Sequence, residues 1–126
     1  MRPCKPLVYV AGPFTSPSAS RNTNRMLQLG VKLIDDNVIT PFVPHLSFLW
    51  DVVTPQAYDW WLDYDLDVIR RCDGLLRVDG ESPGADREVA FAASVGKPVF
   101  MSIDHCYLWA RRWTSTRFAS THEAFI

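Results

Sequence analysis

Leu7-Val8-Tyr9-Val10-Ala11, closed at once by Gly12-Pro13, is the stretch that decides the fold. A continuous β-prone run without a charged residue reads as a strand covered on both faces, the pattern of parallel sheets. Working outward, residues 14–20 hold four Ser/Thr and Pro17 and form a loop. Over residues 21–36 the apolar positions Met26, Leu29, Leu33 and Ile34 recur at helical spacing. Residues 38–42 give a second short strand ended by Pro44. An irregular aromatic stretch with His45, Phe48 and Trp50 follows.

Thr54-Pro55 pairs a capping residue with proline at the first helical position and predicts a helix over 54–71. Residues 74–78 form a third strand. Ser82-Pro83 repeats the cap-and-proline signal and opens a helix to position 95, which Gly96 ends. Residues 98–102 form a fourth strand. In the tail, 107–113 suits a helical turn and 117–120 a fifth strand at the sheet edge. Helices alternating with buried strands imply an α/β fold with a parallel sheet of four to five strands and right-handed crossovers. Ligands of such sheets sit at the carboxyl ends of the strands, so the loops after Ala11, Phe42 and Val78 matter most.

Composition narrows the function. The chain of 126 residues is expected to be a single domain, 48% apolar and 21% charged. Its 13 basic and 14 acidic groups leave a net charge of −1, too even for a broad grip on a nucleic acid polymer or an anionic membrane. A small phosphorylated molecule remains suitable. Cys4, Cys72 and Cys106 show no CxxC or His/Cys ligand spacing, which argues against a disulfide scaffold or a structural zinc site. No apolar run approaches the roughly 20 residues of a membrane span, and the N-terminal run is too short for a signal segment. The expectation is a cytoplasmic protein.

Two acids stand on the wrong faces of their helices. At roughly 100° per residue, Asp59, Asp63 and Asp67 share a solvated stripe with Gln56 and Arg70. Asp65 instead falls in the arc of Trp61, Leu62, Val68 and Ile69, with Ala57 and Tyr58. On the next helix Asp86, Arg87 and Ser94 share one face, whereas Glu88 lies among Ala85, Phe91, Ala92 and Val95. A buried carboxylate costs several kcal/mol unless it is paired, hydrogen-bonded or protonated. Either acid alone reads equally well as a structural acceptor. Two, on consecutive helices flanking one strand, favour a site in which carboxyls divide the labour of nucleophile and acid. The loop Gly12-Pro13-Phe14-Thr15-Ser16 lacks the lysine of a P-loop and the spacing of a dinucleotide fingerprint, but sets N–H groups and hydroxyls beside a helix start that carries Arg21. Ser82 opens a helix whose dipole favours an anion.

Tyr9-Val10-Ala11-Gly12-Pro13-Phe14, Asp65-Leu66-x-x-Ile69-x-x-Cys72-Asp73, Ser82-x-Gly84-x-x-x-Glu88 and Gly96-Lys97-Pro98-Val99, in that order, resemble the nucleoside 2-deoxyribosyltransferase superfamily. The likeness covers about residues 7–102. It is nearest to the branch of 2′-deoxynucleoside 5′-phosphate N-hydrolases. The resemblance implies a flavodoxin-like three-layer sandwich, a homodimer, and cleavage of an N-glycosidic bond with no metal or organic cofactor. By position, Glu88 would be the nucleophile, Asp65 would assist proton transfer to the base, and Tyr9 would orient the nucleophile. Gly12, Pro13, Phe14, Thr15, Arg21, His45, Ser82 and Gly84 would line the substrate. Transferases acting on unphosphorylated nucleosides carry an aspartate where this chain has Ser82; the nucleotide hydrolases carry a serine that holds the 5′-phosphate. The expectation is hydrolysis of a nucleoside or deoxynucleoside 5′-monophosphate. Base exchange between deoxynucleosides is the nearest alternative, a nucleotide-binding or partner-binding module without turnover the next, and cleavage of a dinucleotide the weakest. Pro83 and Asp86-Arg87 depart from the small residues usual before the glutamate, and residues 45–55 match nothing in the family pattern.

Overall fold

In the computed structural model, which describes the backbone of residues 4–124 and the side chains of 4–113, strands β1 (Leu7–Ala11), β2 (Thr40–Phe42), β3 (Gly74–Arg77) and β4 (Val99–Phe100) form one parallel sheet in the order β2-β1-β3-β4. Helices flank it on both faces: α1 (Ala19–Asp36), α2 (Ser47–Val53), α3 (Tyr58–Arg71), α4 (Pro83–Ser94) and α5 (Ile103–Ala124), with a 3-10 turn at Pro44–Leu46 before α2. This is a flavodoxin-like three-layer arrangement.

Strand periodicity sorts the central strand into two cores. Val8 and Val10 face Met26 and Leu33 of α1 and Cys106 and Ala110 of α5. Tyr9 and Ala11 face Ile69 of α3 and Ala85 and Ala92 of α4. All four strand residues are wholly buried, as a parallel strand between two helical layers must be. The two-fold side-chain repeat therefore sends Tyr9, and not its neighbours, toward the helices that carry Asp65 and Glu88.

The sheet order reverses between β1 and β3, whose ends lie side by side. Ala11 is opposite Arg77, and the Val78 N–H donates to the Ala11 carbonyl at 2.7 Å. The loops leaving both strands thus open at one place, where this topology sets its ligands. Gly12 allows close packing there. A Cβ at this position would stand 2.7 Å from Met26 Sδ and 3.3 Å from Val78 Cβ.

The structure corrects the sequence reading in three places. Residues 117–120 lie within α5 and add no fifth strand. The stretch after Pro44 is helical: α2 ends on Thr54, whose N–H donates to the Trp50 carbonyl at 2.8 Å. Thr54 therefore terminates one helix instead of starting the next, and α3 begins at Tyr58 without a side-chain cap. The late start leaves Ala57 and Tyr58 exposed, outside the buried arc assigned to them. Among the described residues no helix is long and apolar enough to cross a membrane.

Candidate active site

Asp65 and Glu88 meet. Both border a cavity of about 400 Å³ at the carboxyl ends of β1 and β3. The Tyr9 hydroxyl, rising from the sheet below, donates a short hydrogen bond to Glu88 Oε2. Glu88 is 7% exposed, and burial pushes its carboxyl up to about 7, opposed by the Tyr9 bond and raised further by Asp65. Burial likewise lifts Asp65 to about 7. Its Oδ1 is buried without a hydrogen-bond partner, a cost that purely structural carboxyls avoid by pairing. Tyr9 is held well above its ordinary value by burial and by both acids, so it stays a donor.

α3 and α4 place these groups because each acid shares the inward stripe of its helix. Ile69, one turn past Asp65, and Ala85 and Ala92, on either side of Glu88, pack in the same core as Tyr9. Burying those apolar positions carries the carboxyls in with them. Helix α4 starts cleanly: the Ala85 N–H donates to Ser82 Oγ at 3.1 Å, and Pro83 occupies the first turn. Ser82 is thus an N-cap that also borders the cavity, beside Gly84. A Cβ on Gly84 would meet the Tyr58 hydroxyl at 2.5 Å, so the glycine lets Tyr58 approach the start of α4.

The loop after β1 forms another wall. Phe14 packs against His45 and Phe48, with ring centroids 5.7 and 5.8 Å apart. Gly12, Phe14, Thr15 and His45 border the cavity. Pro13 acts from behind: its carbonyl accepts from His45 Nε2 at 2.8 Å. Arg21 is exposed in the first turn of α1 and stands outside the cavity lining. Among the described residues no cluster of His, Cys, Asp or Glu is placed to hold a metal ion.

Two supports escaped the sequence reading. Asn22, 8% exposed, donates through Nδ2 to the Phe14 and Ser16 carbonyls, each at 2.8 Å, and pins the first loop. Arg77, 7% exposed, does the same for the second loop: it donates to the Val78 carbonyl, to the Gly80 carbonyl at 2.9 Å and to Asp86 Oδ1 at 3.0 Å. Both left a signal. Asn22 stands four residues before Met26 on the core-facing stripe of α1, and Arg77 sits inside a buried strand; each is as anomalous as Asp65. Asn22→Ala is expected to destabilise the fold by about 1–3 kcal/mol through two unpaired carbonyls, read as a lower denaturation midpoint with an unchanged m-value.

A scan against models of protein families finds no match, and a search of curated proteins finds none either. The chemistry of the site itself is therefore what speaks for a function.

Proposed function

We propose that the chain hydrolyses the N-glycosidic bond of a nucleoside or deoxynucleoside 5′-monophosphate. One observation carries the reading: Asp65 and Glu88, from successive helices, border the same cavity and both hold protons far more tightly than ordinary carboxyls. Near neutral pH the pair shares about one proton. Tyr9 lowers both acids, and the positive charge of Arg77 favours the carboxylate on Glu88. Asp65, with an oxygen lacking any partner, keeps the proton.

Glu88 attacks C1′ as the bond from C1′ to the base breaks. The electron pair of that bond leaves on the base nitrogen, which takes the proton of Asp65. Water then attacks C1′ of the glycosyl ester, Asp65 accepts its proton, and the sugar phosphate departs with Glu88 restored. The amino end of α4 and Ser82 suit the 5′-phosphate. Arg87 borders the same region, while Asp86 is engaged by Arg77, which offsets the charge that would oppose an anion. We assign the protein to the cytoplasm, a reading supported by Cys4, Cys72 and Cys106, all free thiols.

Chromatography of products from ribo- and deoxyribonucleotides and their nucleosides tests the proposal. Free base and sugar phosphate are expected from monophosphates, with weaker release from nucleosides. Failure to release base from any of them removes the hydrolase reading. A new nucleoside formed on addition of a second base replaces it with transfer.

The same carboxyls set the pH dependence. Turnover needs Glu88 ionised and Asp65 protonated, so kcat falls on the acid side as Glu88 takes a proton and on the alkaline side as Asp65 loses one. A narrow bell centred near pH 7 is expected in a steady-state profile. A flat profile from about pH 5 to 9 contradicts this division of labour.

A further inference from the structure

Bond cleavage makes no use of the chemistry at the α2 end of the cavity. Asp51 borders the cavity there with His45 and Phe48. Its Oδ1 accepts two bonds, from the Gln56 N–H at 2.9 Å and from Trp61 Nε1 at 2.7 Å. Among the described residues nothing donates to Oδ2. Those two bonds hold the carboxyl below the usual range, so it is charged at neutral pH and can only accept.

His45 adds a second acceptor. Its Nε2 faces the Pro13 carbonyl, which itself only accepts, so the ring proton is on Nε2. The ring is 4% exposed and burial lowers its pKa, which keeps it neutral. Nδ1 is then a bare lone pair, buried without a partner. A neutral imidazole with an unsatisfied acceptor calls for a donor.

The position fits a nucleobase. Trp61 precedes Asp65 by four residues on α3, a rise of roughly 6 Å. The carboxylate that grips the Trp61 indole and the acid that protonates the departing nitrogen border one cavity. Phe14, Phe48 and Trp61 border the same cavity and offer faces for a ring.

We propose that Asp51, seconded by His45, reads the base, and that the site takes an amino-substituted base, a 4-aminopyrimidine or a 6-aminopurine, in preference to its oxo counterpart. An exocyclic amine brings N–H donors to these acceptors. A carbonyl at the same place sets lone pairs against a carboxylate and leaves it desolvated without a partner. This specificity rests on the nucleotide reading above.

Asp51→Asn is the discriminating variant. Asparagine keeps Oδ1 for Trp61 and Gln56 and places an NH₂ group where Oδ2 stood. In the unaltered protein kcat/KM is expected to favour deoxycytidine over deoxyuridine monophosphate, and deoxyadenosine over deoxyinosine monophosphate, by at least about 10-fold. In Asp51→Asn the order reverses within each pair while circular dichroism shows the fold kept; the thermal midpoint falls slightly, because the two bonds favour a carboxylate over an amide. Calorimetric binding of the same four nucleotides to Glu88→Gln gives an independent ranking, expected to match. Base release with no amino preference, or with a preference that Asp51→Asn leaves unchanged, overturns the role of Asp51 and leaves hydrolysis standing. Amino-selective binding without any base release overturns hydrolysis and keeps the role of Asp51. Absence of both binding and release overturns the two together.

Discussion

Glu88→Gln is expected to lower base release from a nucleoside monophosphate by at least about 10³-fold, with the fold intact. The amide still accepts the hydrogen bond from Tyr9, so the geometry around it survives, but it cannot form the glycosyl ester. Circular dichroism and the unfolding midpoint check the fold, and chromatography of free base checks the chemistry. Base release by this variant at the unaltered rate would end the nucleophile assignment. Stability should move the other way. Burial raises the Glu88 carboxyl to about 7, so the folded state resists its ionisation, and a neutral amide removes that opposition at neutral and alkaline pH.

Asp65→Asn is expected to separate activity from stability still more clearly. Loss of the acid should reduce kcat by about 10²–10⁴-fold, most severely for bases that depart poorly without a proton. The same change should stabilise the protein. The folded-state pKa of Asp65, about 7, lies above its ordinary value of 3.8. Between those values the native state binds a proton that the unfolded chain does not, so stability falls as pH rises through this window. Above it the penalty is fully present, and below about pH 4 it vanishes. Asp65→Asn removes the penalty and should add about 1–3 kcal/mol at pH 8, with a smaller gain at pH 5. Denaturant titrations at the two values measure the difference. A gain that is larger at the acid end would mean that Asp65 is stabilised as a carboxylate in the native protein, and would remove it as the acid.

Opposite signs for activity and stability are what functional carboxyls should give. A structural acid is paired, and its removal costs stability. Asp65 has a buried oxygen with no partner, and at Glu88 burial outweighs the Tyr9 bond and the charge of Arg77.

Much of this was legible in the residues. Hydrophobic run and helical stripe are local patterns with periods of two and 3.6 residues, and the same burial that forms an element reveals a charge on its wrong face. Those patterns mark Asp65 and Glu88 and give the order of the four strands, but neither α2 nor the absence of a fifth strand. The same stripes mark Asn22 and Arg77 as buried polar residues. Where local signals compete, the pattern alone does not decide. Thr54-Pro55 carries a helix-start pattern, but a preceding helix captured Thr54, and Asp51 Oδ1 holds the Gln56 N–H within the turn that follows.

The sequence by itself determined the α/β class, the parallel sheet and the two misplaced acids, because each follows from contacts within one turn or one strand. Only the tertiary structure decided that the acids share one cavity, that Tyr9 stands beneath them, and that Asp51 and His45 border its far end. Those placements depend on the register of β1 against β3, on helices that pack across the sheet, and on hydrogen bonds such as Trp61 to Asp51 that join separate elements. Spacing along a chain fixes which way a side chain points from its own element; it does not fix what that side chain meets.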